Sequence, residues 1–335
     1  MVSRDTTNNA LFLGVDIGGT KVAAGLVDAS GEIICKGRAP MNARGTAEEG
    51  LASVFAAMDD AIKAGRAARP NLEIAGIGIC SPGPLDPRTG VVINPPNLPC
   101  WRNFPLADEV SRKRGVRVLV ENDANAAGLA EYLWGAGSGY QIVFYATLGT
   151  GIGTGLVLDG RIYNGRTGSA TEGGHVTIDF HGPRCGCGKH GCIEALASGP
   201  AIAARAQAAV AKAGARGAKL IELAGGKVDA IHSEHVAAAW RAGDPLATEI
   251  LSETMDLLTT WLGSIIDLLE PEVIVFGGGI GELASEWFGH IRSKLPAWCI
   301  IKRGVEIPLV LARYVADSGI AGAAALCLAP AAAKA

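Results

Sequence analysis

The 335-residue sequence is poor in aromatic side chains, which make up 5% of it, and it lacks a strong excess of charge of either sign. The formal net charge is −3 at pH 7. Proteins that bind nucleic acid or anionic membrane surfaces usually carry a clear positive excess, so the composition argues against both partners. The length is sufficient for two domains, each with its own core.

The sequence also lacks a long apolar run and an apolar leader. No stretch of about 18 consecutive apolar residues occurs, so we expect no transmembrane helix. The N-terminus is polar, which argues against a signal peptide. Five scattered cysteines do not resemble a secreted disulfide framework: Cys35, Cys80, Cys100, Cys299 and Cys327. We therefore expect a reduced, cytoplasmic protein.

The pattern G-x-x-x-x-G-K-[ST] is absent, which excludes a Walker-type nucleotide site. Glycine, in contrast, is abundant, with 46 residues. Residues 11–34 and 142–162 repeat one pattern, in which an apolar strand, a turn rich in glycine and threonine, and a second apolar strand follow each other. Two such openings indicate two related α/β domains, each beginning with a hairpin.

Three glycine-rich segments at strand ends are candidate ligand sites, because their backbone N–H groups suit phosphate oxygens. The first, D-I-G-G-T-K at 16–21, adds a carboxylate that can hold Mg²⁺ through water, and a hydroxyl and an ammonium that can donate to phosphate. The second is L-G-T-G-I-G at 148–153, and the third is the glycine run 277–279, on which a ligand ring could pack. A glycine turn in a hairpin more often has a structural role alone, but three such turns at strand ends favour a ligand-binding role.

Three cysteines and a histidine form a candidate metal site. The sequence G-H-V-T-I-D-F-H-G-P-R-C-G-C-G-K-H-G-C contains His175, Cys185, Cys187 and Cys192, which match a structural Cys3His zinc site. Three clustered cysteines cannot all pair among themselves as disulfides. The alternatives are a loop of reduced thiols, or a site in which His181 or His190 replaces His175.

Apolar periodicity predicts the remaining elements. We expect helices near 46–69, 105–114, 122–132, 244–269 and 318–329, and strands near 72–79, 116–120 and 272–276. Asn122 and Asp123 open one helix, where either can serve as the N-cap. Asp244 and Pro245 open the longest helix, whose broad apolar stripe we expect to be buried, in part at a dimer contact.

Taken together, the motifs resemble the ROK family of bacterial sugar kinases and repressors, within the actin-like ATPase superfamily. They are D-I-G-G-T-K, S-P-G-P-L-D-P-R-T-G, N-P-P-N-L-P-C-W, E-N-D-A-N-A-A, L-G-T-G-I-G-T-G, E-G-G-H and C-G-C-G-K-H-G-C-I-E, in this order. The resemblance implies an α/β fold of two actin-like (ribonuclease H-like) domains with a ligand cleft between them. Residues 1–121 and 315–335 would form the smaller domain, and residues 122–314 the larger one with the zinc loop.

The resemblance also implies roles for individual residues. Asp123 would be the catalytic base, and the sugar would be bound by Asn97, Asn122, Asp123, Glu172, His175 and Glu194. The nucleotide would be bound by Asp16, Gly18, Gly19, Thr20, Lys21, Thr147, Gly149, Thr150, Gly151, Gly277, Gly278 and Gly279. ATP and Mg²⁺ would be required, zinc would be structural, and a homodimer or homotetramer is expected.

One position departs from the family pattern. The residues before His175 usually read G-E-I-G, whereas this sequence has T-E-G-G, with Gly173 in place of a branched residue. We expect a looser backbone there, which weakens an inference about sugar preference.

Three readings compete. We expect an ATP-dependent hexose kinase that makes a 6-phosphate, with glucose as first choice and N-acetylmannosamine, N-acetylglucosamine and fructose as alternatives. A sugar-responsive repressor is disfavoured, because the fifteen residues before Asp16 leave no room for a DNA-binding domain. A sugar-binding protein without catalysis is disfavoured by the intact Asp123 and phosphate loops.

Overall fold

The computed structural model describes residues 10–329. Its contacts divide the chain into two units. The first comprises the residues up to Tyr145, Gly155–Thr171 and the described residues from Ala312 onward. The second comprises Ala146–Thr154 and Glu172–Leu311.

The first unit is built on a five-stranded sheet with the order β3-β2-β1-β4-β7. The three leading strands form an antiparallel meander, whereas β4 and β7 run parallel to β1. A two-stranded ribbon, β5 and β6, lies outside this sheet. The bounds are β1 Leu11–Ile17, β2 Lys21–Asp28, β3 Ile33–Pro40, β4 Ile74–Ser81, β5 Leu85–Asp86, β6 Val91–Val92 and β7 Val118–Asn122.

Helices cover both faces of this sheet because its strands alternate their apolar residues. Leu13 and Val15 of β1 join one core cluster, together with residues of α1 (Ala47–Ala68) and α2 (Leu106–Arg114). Phe12 joins a second cluster that contains Ile320. Ile320 belongs to the last helix of the unit, which also contains α3 (Asp123–Trp134).

This last helix, Ser318–Ala325, approaches the sheet closely, because glycines face it. A Cβ atom on Gly14 of β1 would overlap the carbonyl oxygen of Ile320, and one on Gly78 of β4 would overlap that of Ala323. Within the helix itself, a Cβ atom on Gly322 would come within 2.6 Å of the Ala126 carbonyl carbon. Backbone therefore packs on backbone between this helix, the sheet and α3.

A second five-stranded sheet has the order β10-β9-β8-β11-β12. The boundary between the two units runs through β8 and β9. Its strands are β8 Ile142–Leu148, β9 Ile152–Leu158, β10 Arg161–Ile162, β11 Val273–Gly277 and β12 Leu309–Leu311.

The second unit carries most of the helices. They are α4 Ile193–Ala197, α5 Gly199–Ala213, α6 Ala218–Leu223, α7 Ser233–Arg241, α8 Pro245–Leu269, α9 Gly279–Ser285 and α10 Phe288–Lys294, so that Ser318–Ala325 is α11. Short 3-10 turns occupy Gly173–His175, Gly214–Gly217, Val228–Ala230, Leu295–Ala297 and Lys302–Glu306.

The longest helix, α8, begins as its sequence predicts. The Asp244 side chain accepts a hydrogen bond from the Ala247 N–H at 2.8 Å, and Pro245 occupies the first turn. Its apolar stripe is buried from Leu246 to Ile265, whereas Leu269 is only half-buried.

Sequence and structure agree on the α/β class, on the two strand–turn–strand openings and on the type of the elements named above. The last helix ends at Ala325, earlier than expected. The first unit includes residues 122–145, Gly155–Thr171 and residues 312–314, whereas the sequence placed all of 122–314 in the larger domain. The domain ranges remain a prediction. None of the described helices combines the length and the apolar content needed to cross a membrane.

The approach of α11 to the sheet leads to a stability prediction. Gly78→Ala should lower the free energy of unfolding by about 1–3 kcal/mol or more, because the new methyl group meets rigid backbone. Gly76→Ala is the control on the same strand, where a Cβ atom would lie 3.0 Å from the movable Cys327 Sγ, so a smaller loss is expected. Urea denaturation of both variants measures the difference; equal losses would contradict the close approach.

Candidate functional site

The first glycine turn joins β1 to β2 in the first unit. The Gly18 N–H donates to the Lys21 carbonyl oxygen at 2.9 Å, which closes the turn. Thr20 and Lys21 are exposed, so their hydroxyl and ammonium groups can reach a ligand. A Cβ atom on Gly19 would lie 2.9 Å from the Asn97 carbonyl oxygen, so the loop containing Asn97 supports this turn.

Asp16 lies at the end of β1, against the start of α11. The Cys80 thiol donates to its Oδ1 at 3.5 Å and also approaches the Gly319 carbonyl oxygen at 3.3 Å. Burial raises the pKa of Asp16, while the Cys80 hydrogen bond and the Lys21 charge lower it. Burial raises the pKa of Cys80 well above its usual value, and the charges of Asp16 and Asp123 raise it further. The two carboxylates therefore act on the same thiol, and α11 completes this part of the first unit.

Asp123 is the first residue of α3, and Asn122 is its N-cap. The Asn122 Oδ1 accepts from the N–H groups of Ala124 at 3.0 Å and Asn125 at 3.3 Å. The Asp123 Oδ1 accepts from the Ala124 N–H at 2.8 Å. Because Asn122 satisfies the helix end, the exposed carboxylate of Asp123 is not needed as the only cap.

The second glycine turn joins β8 to β9 and contacts two other parts of the second unit. The Gly149 carbonyl oxygen accepts from the Gly199 N–H, the first residue of α5, at 2.8 Å. Gly278, at φ 77°, packs against the end of β8, where a Cβ atom would lie 3.0 Å from the Thr147 Oγ1. The structure thus brings together two of the three glycine segments that the resemblance assigned to the nucleotide.

Gly149, Thr150 and Gly279 line one cavity of about 1150 Å³. This volume is sufficient for a ligand of nucleotide size. The start of α5 lines it with Gly199 and Pro200, and the positive end of a helix dipole favours phosphate. Lining residues that the sequence analysis missed come from α5 and α7: Pro200, Ala203, Gln207, Ser233, His235 and Arg241. No motif marks them, because their common feature is position in space.

The four predicted metal ligands lie together. Their donor atoms are all within 4.8 Å of one another: His175, Cys185, Cys187 and Cys192. The Cys185 Sγ is 3.6 Å from the His175 Nδ1, and the Cys187 Sγ is 3.6 Å from the Cys192 Sγ. A tetrahedral zinc with Zn–S bonds of about 2.3 Å places its sulfurs about 3.8 Å apart. The donor set and its spacing fit zinc.

The rival histidines take no part in this group. The His190 Nδ1 lies 3.2 Å from the Gly182 carbonyl oxygen, and the exposed His181 ring packs on Phe180. Since the His175 Nδ1 faces the sulfurs, its Nε2 is the nitrogen left for a ligand.

Glu194 connects the metal group to the second glycine turn. Its Oε2 accepts from the Ile152 N–H at 3.0 Å, and its Oε1 lies 3.8 Å from the His175 Nδ1. The Cys185 thiol donates to the same Oε1 at 3.7 Å. One carboxylate therefore contacts both the proposed zinc ligands and the backbone that follows the turn.

Glu172 is exposed at the start of the 3-10 turn that contains His175. The next residue, Gly173, is held on both sides: its N–H donates to the Thr154 Oγ1 at 2.8 Å, and its carbonyl oxygen accepts from the Trp261 Nε1 at 3.0 Å. The expectation of a loose backbone at Gly173 is therefore wrong, because two buried partners replace the packing of a branched side chain.

The comparisons with known proteins show the family of the chain. The model of the ROK family matches residues 12–329, so the chain belongs to the ROK family. It is 35% identical to a glucokinase of Thermotoga maritima over 94% of this chain and 96% of that one. It is 34% identical to an N-acetylmannosamine kinase of Escherichia coli over 94% and 97% of the two chains. A ROK family glucokinase from Streptomyces griseus, solved in complex with glucose and AMPPNP, has 35% identity and a TM-score of 0.79, over 94% of this chain and 98% of that one.

The proposed metal site can be tested without an assay of enzymatic activity. We expect one zinc per chain in protein purified without added metal, measured by atomic absorption. Cys192→Ser should lose the metal and lower Tm by about 5–10 °C or more, since metal binding contributes directly to folding and 1 kcal/mol corresponds to about 2–4 °C in a domain of this size. Cys299 is a half-buried cysteine of the same unit outside the cluster, so Cys299→Ser should keep the bound zinc and the Tm of the parent. Folded protein that contains no zinc would contradict the assignment of a structural zinc site.

Proposed function

We propose that this ROK family member transfers the γ-phosphoryl group of ATP to the 6-hydroxyl of glucose. The chain is an ATP-dependent sugar kinase, as its full-length similarity to the glucokinases indicates. The observation that carries the choice of glucose is the likeness to the Streptomyces griseus enzyme, which was solved with glucose and AMPPNP. S-P-G-P-L-D-P-R-T-G and P-P-N-L-P further resemble the glucokinase branch.

ATP would occupy the cavity of the second unit. Its phosphates would accept hydrogen bonds from the backbone of the turn Gly149–Gly151 and would face the positive end of the α5 dipole, while Gly277, Gly278 and Gly279 would line the adenosine side. The observed support is that Thr150, Gly199 and Gly279 line the same cavity. Asp16 would hold Mg²⁺ through water, which neutralises phosphate charge, and the turn Gly18–Lys21 would bind phosphate as well.

Asp123 would accept the proton of the 6-hydroxyl while that oxygen attacks the γ-phosphorus and ADP departs. Phosphoryl transfer needs little beyond position and charge stabilisation, and one base on the acceptor hydroxyl completes it. The exposure of Asp123 and the independent cap supplied by Asn122 support this role. A base so placed is accessible and fixed in direction by the helix that it begins.

The sugar hydroxyls would be bound by Asn97, Asn122, Glu172, His175 and Glu194. Carboxylates and amides offer the paired oxygens and N–H groups that sugar hydroxyls need. Zinc, when bound at the His175 Nδ1, would fix the tautomer of that ring so that its Nε2 faces the sugar. The Glu194 carboxylate, already held by the Ile152 N–H, would be fixed in orientation before the sugar arrives.

A second candidate substrate has its own support. The 34% identity to an N-acetylmannosamine kinase is close to the 35% identity to the Thermotoga enzyme, so an N-acetylated hexosamine is the alternative, followed by fructose. The ligand cleft between two domains, the oligomeric state and the cytoplasmic location remain predictions from the sequence and its resemblance.

The function is tested with a panel of glucose, mannose, fructose, N-acetylglucosamine and N-acetylmannosamine, each assayed for ATP-dependent phosphorylation. We expect the highest kcat/KM with glucose, because a site built to bind particular hydroxyls rejects analogues that leave its buried polar groups unpaired. Phosphorus NMR of the product should give a 6-phosphate. Preference for an N-acetylated sugar would transfer the assignment to the alternative, and a 1-phosphate would reverse the proposed orientation of the ring.

The role of Asp123 is tested by Asp123→Asn. We expect kcat to fall by at least about 100-fold, the scale of general-base loss, while Tm stays near that of the parent, because the amide oxygen still accepts from Ala124. Asp244→Asn makes the same chemical change at the start of α8 and should leave kcat unchanged. A near-normal kcat in Asp123→Asn would exclude the residue as the base.

A further inference from the structure

A buried carboxylate stands immediately before the proposed catalytic residues. Glu121, in β7, is 4% exposed. Its Oε1 accepts from the Asn122 N–H at 2.8 Å and from the Asn125 Nδ2 at 3.2 Å. Its Oε2 accepts from the Asn164 Nδ2 at 2.8 Å. These three bonds all come from uncharged donors, so hydrogen bonds from amides stabilise this carboxylate in the interior.

The network extends from α3 into the loop after β10. The Asn125 Nδ2 donates to the Asn164 Oδ1 at 3.1 Å, and the Thr171 Oγ1 donates to the Asn125 Oδ1 at 3.0 Å. The carbonyl oxygen of Asn164 accepts from the N–H groups of Gly168 at 3.1 Å and Ala170 at 3.3 Å, so this residue organises its own loop. Thr171 is followed in the chain by Glu172. Glu121 therefore joins the first turn of α3 to the segment that leads to a proposed sugar ligand.

Burial of such a group is costly for stability. A carboxylate removed from water loses its hydration, and hydrogen bonds must replace it. Burial raises the pKa of Glu121, and the hydrogen bonds from Asn122, Asn164 and Asn125 lower it. An apolar side chain would fill this position at lower cost, but it could not orient three separate N–H groups.

We propose that Glu121 is a positioning residue for phosphoryl transfer: its two oxygens fix the direction of the first turn of α3, and with it Asp123, relative to the loop from Asn164 to Thr171. This inference rests on the proposed role of Asp123. A base displaced by about 1 Å can lose about 100-fold in rate without any loss of its own chemistry.

The hydrogen-bond pattern requires two acceptors at Glu121. Because donors face both oxygens, Glu121→Gln must set its own NH₂ group against another donor in either orientation. The change Asn164→Asp supplies the missing acceptor: one aspartate oxygen can accept from the new Gln Nε2, and the other can still accept from Asn125. The double variant therefore restores every bond and moves the negative charge from position 121 to its hydrogen-bonded neighbour at position 164.

Glu131 provides a matched control at the opposite end of the same helix. It is 1% exposed, and it too is a buried carboxylate held by N–H donors: Ala136 at 2.8 Å, Arg313 at 3.1 Å and Tyr314 at 2.9 Å. Glu131→Gln makes an identical chemical change and should lower stability to a similar degree. It is remote from Asp123 along α3, by two turns of helix.

Steady-state kinetics with ATP and glucose, at a temperature where all variants are folded, tests the proposal. In Glu121→Gln we expect kcat to fall about 10- to 100-fold, while KM for ATP changes by less than about twofold because the nucleotide cavity is untouched. Glu131→Gln should keep kcat within about twofold, and Glu121→Gln with Asn164→Asp should recover most of the lost kcat. Equal kcat in the Glu121 and Glu131 single variants, or no recovery in the double variant, would overturn the proposal.

Hydrogen exchange gives a readout without substrate. Peptides covering 121–126 and 163–171 should lose protection together in Glu121→Gln, and keep it in Glu131→Gln and in the double variant. Unchanged protection in both peptides would also overturn the proposal. If the parent protein phosphorylates no sugar of the panel, the proposed function fails, and the exchange result still decides whether Glu121 holds the two segments.

Discussion

The approach of α11 to the first sheet is the constraint on which the first unit depends. Gly14 and Gly78 carry no side chain, so the helix backbone rests directly on β1 and β4. This contact puts Gly319 against the Asp16 carboxylate, and Gly322 against the backbone of α3, whose first residue is Asp123. Dense packing of this kind transmits small displacements, so the placement of both carboxylates depends on a helix whose side chains contact neither substrate nor metal in the proposed mechanism.

In the second unit, the Glu194 side chain connects two separate segments, as α11 does in the first unit. Its two oxygens contact different structures, the backbone after the second glycine turn and the His175 ring beside the cysteines. The loop with the proposed zinc ligands and the second glycine turn are therefore not independent parts. One side chain, Glu194, therefore links the position of the His175 ring to the backbone of Ile152.

Local chemistry predicted much of this structure. The caps at Asn122 and Asp244, the two strand–turn–strand openings and the cluster of cysteines with His175 are all encoded by neighbouring residues, and they appear where the sequence places them. Long-range contacts could not be predicted in the same way. Gly173 looked permissive because its partners, Thr154 and Trp261, lie 19 and 88 residues away in the chain.

The network around Glu121 shows the same limit. Glu121 and Asn125 belong to the recognisable motif E-N-D-A-N, but nothing local indicates that Asn164 completes their hydrogen bonds. The sequence likewise could not predict that α5 and α7 line the cavity, because each of these helices has the pattern of an ordinary amphipathic or alanine-rich segment. Contacts between residues that lie far apart in the chain can be identified only when the fold is known.

The position of α11 in the chain bears on the order of folding during synthesis. Residues 318–325 leave the ribosome only after the whole of the second unit has been made, although they pack on strands that emerged among the first eighty residues. Until then, Phe12, Ala23 and Val27 of the first sheet lack the helix residues Ile320 and Ala324 that pack against them. The core cluster that joins Phe12 to Ile320 can therefore form only after the second unit has been synthesised, so during that interval these apolar residues of the sheet lack their helix partner.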